Sequence, residues 1–274
     1  METKKSKLGL GIFIGVLIGL IIGLSSFIIY DKVIDNDKDN STIKDDNKKD
    51  NNQDNVEIDE ILTLNIDDKV GNTLYENITL PICSIYNNYY YRSNSTLVND
   101  MSSAVKMYLT AKNIGGNRDE SHINEADFEE SFHKLFGENT NYQFIETDDI
   151  AVIKKENNGE ILYYYAETCV PNLYKNVIKI EKNNTKNEYY IYENVAFLKL
   201  LGNGDESGEY VDIYKDYQYN QLLKSNIHAT YSNGTLVSIN IPNDLLATYK
   251  YTFKQNTGAY KNDYYFYSVE KVEE

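Results

Sequence analysis

Two cysteines, three histidines and a large excess of carboxylates are the groups in this chain that could do chemistry. Cys83 and Cys169 each stand near a proline, in LPIC and CVP. In an oxidising compartment they form a candidate disulfide. Closing a loop of about 86 residues would stabilise the fold by about 4 kcal/mol on the chain-entropy model, provided the two Cα atoms lie within about 7 Å. Two separate buried thiols are the alternative. His122, His133 and His228 belong to no H-E-x-x-H or other paired spacing, so spacing nominates no metal ligand. His133 falls opposite the aromatic side of its segment and reads as a solvated surface residue. There is no G-x-S-x-G, no G-x-x-x-x-G-K-[ST] and no dinucleotide fingerprint, so no catalytic residue and no cofactor is assigned. With 42 Asp and Glu, carboxylate spacing cannot single out an acid/base pair.

Two further patterns have a chemical reading and a plainer one. Asp35, Asp37 and Asp39 alternate like the first half of a calcium loop, but Asn40 replaces the required glycine and Asp46 the bidentate glutamate. Such alternation arises readily in an Asp/Asn/Lys tract. The stretch LGNGDESGEY, with Gly202, Gly204, Asp205, Glu206 and Gly208, could clamp an ion, although runs of this kind usually turn the chain. The chain also holds 26 tyrosines and no tryptophan. Biased codon usage in an AT-rich genome explains this most simply; a stacking surface for glycans is the sharper reading, because a phenol offers an apolar face and a polar tip.

The net charge of −15 argues against nucleic acid, whose binders need a basic surface. Anionic wall polymers would be repelled as well, unless divalent cations bridged them.

Residues 8–30, LGLGIFIGVLIGLIIGLSSFIIY, form a run of 23 without a charge. At helical rise that is about 34 Å, enough to cross a hydrocarbon core. Lys4, Lys5 and Lys7 precede it and an acidic tract follows, so the positive-inside bias predicts residues 1–7 in the cytoplasm and the rest outside. The run is too long for a cleaved signal peptide and lacks an A-x-A-like site, and no lipid-accepting Cys follows it. A single-pass signal anchor in the cell membrane is therefore expected. Gly11, Gly15, Gly19 and Gly23 recur at every fourth position and would let a second backbone approach closely, as in a homodimer. Glycine is frequent in membrane helices in any case.

Residues 31–57 are almost entirely Asp, Asn, Lys, Ser and Thr and cannot bury enough surface to offset ordering. They read as a disordered acidic linker with an end-to-end span of about 30 Å. Residues 58–274 then form one extracytoplasmic domain.

Within that domain the first half has helical spacing and the second half alternates. HINEADFEESFHKLFGEN predicts a helix capped by Asn124, stapled by Ile123 and Phe128, and stopped by Gly137. A longer helix is predicted over 96–112, with a Ser95 cap and an ending at Gly115 and Gly116. A short one is predicted over 68–78, with Val70, Leu74 and Ile78 as its apolar stripe. Beyond about residue 142 the pattern predicts three antiparallel hairpins, around ENNGE, NNTKN and QNTGAYKND. Helices gathered before hairpins indicate α+β, with the helices packed on one covered face of a curved antiparallel sheet.

The anchor, the stretch VGNTLYENITLPIC and the closing YKYTFKQNTGAYKNDYYFYSVEKV together resemble uncharacterised single-pass membrane-anchored exported proteins of AT-rich, low-GC Gram-positive bacteria. The resemblance implies a location and brings no activity, cofactor or catalytic residue. The reading that follows is a surface-displayed binding, sensory or assembly module whose partner is an envelope protein or glycan. Two alternatives stay open: a cell-envelope enzyme working with unidentified acid/base carboxylates, and a membrane-complex subunit assembled through the glycine-rich span.

Overall fold

The computed structural model describes residues 59–81, 86–116, 120–165, 172–201, 209–232 and 235–273. Asp68 opens the first helix, α1 (Lys69–Asn77), by accepting the Gly71 amide at 2.7 Å. Of its apolar stripe, Leu74 and Ile78 are buried while Val70 is 46% exposed. The stripe therefore reaches the core only along its second half.

The helix expected over 96–112 begins later, as α2 (Ser103–Gly115). Its expected cap and first residues, 95–97, instead form the short strand β2 (Ser95–Leu97), paired with the last strand of the sheet, and a 3₁₀ turn follows at Val98–Asp100. An edge strand offers unpaired backbone groups, and satisfying them outweighed the helical spacing of Leu97 and Met101. The true cap is Ser102, whose hydroxyl accepts the Val105 amide. The stop is as expected, with Gly116 at φ +69°.

Helix α3 (Glu125–Phe136) matches its sequence signals closely. Asn124 accepts the Ala126 amide at 2.9 Å, and Gly137 leaves the helix at φ +97°, where an L side chain is strained. Ile123, Phe128, Phe132, Leu135 and Phe136 are all buried. Glu125 and Asp127 lie in its first turn, His133 and Lys134 in its last, each on the side that the helix dipole favours.

All three expected hairpins form. They are β4 (Val152–Lys155) with β5 (Glu160–Tyr164), β6 (Leu173–Asn183) with β7 (Glu188–Leu200), and β11 (Ala247–Gln255) with β12 (Tyr264–Lys271). They divide between two sheets. A nine-stranded antiparallel sheet takes in β1 (Ile61–Leu64), β2, β6, β7, β8 (Glu209–Tyr214), β9 (Leu222–Ser232), β10 (Thr235–Ile239), β11 and β12. The first hairpin joins β3 (Ser121–Asn124) in a three-stranded sheet ordered β3-β5-β4. The result is a mixed α+β architecture dominated by antiparallel sheet, within the unit Glu57–Glu274.

β7 is the branch point of the large sheet. It pairs with β6 along 188–197, with β11 along 188–195 and with β8 along 197–200. Its residues Tyr189, Ile191, Glu193, Val195 and Phe197 face the helices, together with Tyr249, Tyr251 and Phe253 of β11. On the opposite face Ala196 and Leu198 join Val211, Ile213, Ala229, Tyr231 and Ile241 in a second, smaller core. Val195 through Leu198 are therefore buried consecutively, and the one-covered-face alternation of the first half of the strand is lost there.

Candidate functional site

Three places in the described domain concentrate polar chemistry. The first lies inside the helix-covered core. The alternation that points Tyr189, Ile191, Val195 and Phe197 inward also points Glu193 inward, and its side chain is completely buried. A bare carboxylate there would be prohibitively costly. Three phenols satisfy it. Tyr91 and Tyr251 each donate to Oε2 at 2.7 Å, Tyr75 donates to Oε1, and the Tyr91 and Tyr251 hydroxyl oxygens lie 3.1 Å apart. Tyr75 comes from α1, Tyr91 from the 3₁₀ turn Tyr89–Tyr91 and Tyr251 from β11, so one carboxylate ties three elements to β7. Burial first, and the Glu193 charge second, raise the pKa of all three phenols, which stay protonated donors.

Two lysines stand near this network. Lys175 lies opposite Val195 on the same face; burial lowers its ammonium pKa and Glu193 pulls it back up. Lys112 donates to the carbonyls of Glu76 and Thr79, each at 2.8 Å, and so closes the end of α1. Burial, and then the charge of Lys175, lower its pKa to about 8. These contacts make the network a brace across the core, with every hydroxyl and carboxylate oxygen directed inward.

The second place is a cleft of about 530 Å³ where the ends of β7, β8, β11 and β12 meet. Its floor is apolar, with Val195, Phe197, Leu223, Leu246 and Ala247; its rim carries Lys215, Asp244, Lys271 and Glu273 beside the amides of Asn94 and Gln221. Phe197 joins the cleft to the inner network, since the Tyr91 ring stands edge-on to it with centroids 6.0 Å apart. A volume of this size with an apolar floor and a few polar groups suits a small organic ligand.

The third place is the outer face of the small sheet. Ile123, Ile153, Ile161 and Tyr163 fill its inner face and are buried. The register pairs His122 with Leu162 and Lys154 with Leu162, which puts the side chains of His122, Glu156 and Glu160 on the outer face. His122 Nδ1 lies 2.7 Å from Glu156 Oε2 and Nε2 lies 3.1 Å from Glu120 Oε1. These hydrogen bonds, to Glu156 first and Glu120 second, raise the imidazole pKa.

His133, expected to be solvated, is not. Its side chain is only 18% exposed, stacks on Tyr260 and meets Phe132 edge-on. The helix leaves that flank to be covered by the β11–β12 connection, which sequence spacing on α3 alone could not reveal. The residues singled out from sequence, Cys83, Cys169, Gly11, Gly15, Gly19, Gly23, Asp35, Asp37 and Asp39, lie outside the described residues, as does the loop 202–208. Among the described residues no helix is long and apolar enough to cross a membrane. Spacing missed Glu193 and the His122 group for different reasons. Glu193 had a local signal, a charged residue at an inward position of an alternating strand; the His122 group depends on β3 pairing with a strand far along the chain.

Compared with models of protein families, with curated proteins and with solved structures, the chain matches none.

Proposed function

We propose that this chain is a membrane-anchored extracytoplasmic binding module whose domain takes a small amphipathic ligand in the cleft floored by Phe197 and Leu246. The observation that carries the reading is the cleft itself, about 530 Å³ with an apolar floor and a rim bearing both charges and two amides. Such a rim fits a ligand with an apolar body and polar ends, such as a short peptide or an amide-bearing sugar of the cell envelope. The uncharged run at 8–30, with lysines before it and acids after it, holds the module as a single-pass anchor, and 31–57 tethers the domain away from the surface. The glycines of the span provide for self-association, which would let a ligand-bound domain signal or assemble as a dimer.

A Cys83–Cys169 bridge belongs to the same reading. Asn87 and Asn172, which follow the two cysteines closely in sequence, are hydrogen-bonded side chain to side chain. Alkylation of the exported protein without reductant leaves both thiols unmodified if the bridge forms; two labelled cysteines would remove it.

The binding reading is tested by thermal-shift screening of the full-length chain in detergent against envelope-derived peptides and aminosugars, with Leu246→Trp as the variant that fills the cleft. A ligand that raises the melting temperature of the wild type and not of Leu246→Trp supports it. An equal shift in both proteins places binding elsewhere. Protease added to intact cells should remove the domain, and its survival there but not in lysates would reverse the topology.

A further inference from the structure

We propose that His122, Glu156 and Glu160 form a binding site for a transition-metal dication of the zinc type, held on the outer face of the small sheet. The inference is independent of the cleft. It begins with a problem of hydrogen-bond bookkeeping. Both nitrogens of the His122 ring face carboxylates, Nε2 that of Glu120 at 3.1 Å and Nδ1 that of Glu156 at 2.7 Å. A neutral imidazole has one donor nitrogen and one acceptor. If Nε2–H donates to Glu120, the Nδ1 lone pair points at an acceptor-only carboxylate, and a cation must lie between them. That cation is either a second ring proton or a metal ion.

The surroundings favour the metal. An imidazolium would use Glu120 and Glu156 alone, whereas here a third carboxylate closes in: ligand atoms of His122, Glu156 and Glu160 all lie within 4.8 Å of one another. The three are fixed by backbone pairing. Glu156 and Glu160 close the β4–β5 turn, where the Glu156 amide donates to the Glu160 carbonyl at 2.8 Å and Gly159 supplies φ +85°. β3 runs antiparallel along β5 and sets His122 one step from the turn on the same face. Asn158 donates to Glu160 Oε2 at 2.8 Å and holds that carboxylate in place.

The donor set defines the class of ion. One imidazole nitrogen and two carboxylates suit zinc and its neighbours, while calcium prefers six to eight oxygens and gains little from imidazole. Glu120 on the far ring nitrogen is the partner that metal-bound histidines ordinarily have; it fixes the tautomer and raises ligand basicity. Three protein ligands leave a zinc ion at least one open position. At 2.7 Å the nitrogen and the Glu156 oxygen are closer than two ligands of one ion, so binding requires Glu156 to draw back slightly, which its half-buried side chain, 33% exposed, allows.

The full-length chain in detergent is titrated with zinc chloride, and separately with calcium chloride, by calorimetry, and histidine ¹⁵N chemical shifts are followed by NMR. The acidic tether is present in every variant and serves as the internal background. One zinc equivalent at micromolar dissociation constant or tighter is expected, with binding weakened at least tenfold in His122→Ala and Glu160→Gln and about tenfold in Glu120→Gln. Zinc should move the His122 Nδ1 resonance, and calcium should not compete. Because these side chains face solvent, the variants should keep the wild-type melting temperature in metal-free buffer. Equal zinc binding by wild type and His122→Ala, or a His122 ring that stays doubly protonated at saturating zinc, overturns the proposal.

Discussion

Glu193 and His122 each stand at the centre of a cluster containing carboxylate and ring, yet the two clusters are built on opposite accounting. Around Glu193 one carboxylate meets three hydroxyl donors and is wholly buried. Around His122 one ring meets carboxylates on both sides, and its side chain is 44% exposed. Inside the core donors outnumber the charge and the site is closed; on the small sheet acceptors outnumber donors and the site is open to a cation. The difference teaches that the number of acidic residues says little about binding. What decides is the balance of donors against acceptors and whether water can reach them.

Removing the centre of the closed cluster should have the largest effect. Glu193→Ala removes the acceptor shared by Tyr75, Tyr91 and Tyr251, leaves Tyr91 and Tyr251 only each other, and opens a cavity, at a cost of about 3–5 kcal/mol measured by urea unfolding. A loss below about 1 kcal/mol would mean that the brace is dispensable. Alkaline pH should come next. The pKa values of Tyr75, Tyr91 and Tyr251 are raised in the folded protein, so below about pH 10 both states are protonated and these groups leave stability unchanged. Above it the unfolded chain loses the three protons and the folded chain keeps them, so stability falls by about 4 kcal/mol per pH unit. Most of the 26 tyrosines lie outside this cluster, so the readout is the tyrosinate absorbance of the wild type minus that of Tyr251→Phe: this difference should appear together with the loss of far-ultraviolet circular dichroism, and its appearance well before unfolding would show that the cluster is not sealed.

Tyr251→Phe removes one donor of three and should cost about 1–3 kcal/mol, less than Glu193→Ala. The opposite order would place the strain in the phenols and not in the carboxylate. His122→Ala should change unfolding free energy by no more than about 0.5 kcal/mol without metal, as expected of an exposed position. A large loss there would make the open cluster structural too and erase the contrast.

Much of the architecture was legible wherever the signal is local. The Asn124 cap and the Gly137 stop bound α3 because capping involves residues within one turn. The hairpins were legible because turn residues and alternation sit side by side. What could not be read depended on distant partners. Ser95–Leu97 became a strand only because β12 offered an open edge, and Leu97 ended 40% exposed while Met101 was buried. The two faces of β7 were equally hidden, since the second core is assembled from β8, β9 and the segment before β11. Of the polar clusters, Glu193 could have been found from alternation alone. The His122 group could not, because nothing near Ser121–Asn124 announces its pairing with Glu160–Tyr164.

β7 takes hydrogen-bonding partners both earlier and later in the chain. During synthesis, then, one of its edges stays bare along 188–195 until Ala247–Gln255 has emerged, and the core residue Phe266 arrives later still. A polypeptide that stops short of this point carries a long strand with one backbone edge unpaired, a ready template for aggregation. Loss of the C-terminal strands should therefore remove the whole domain and not merely its edge. The same dependence keeps the domain unfolded until nearly all of it has been made.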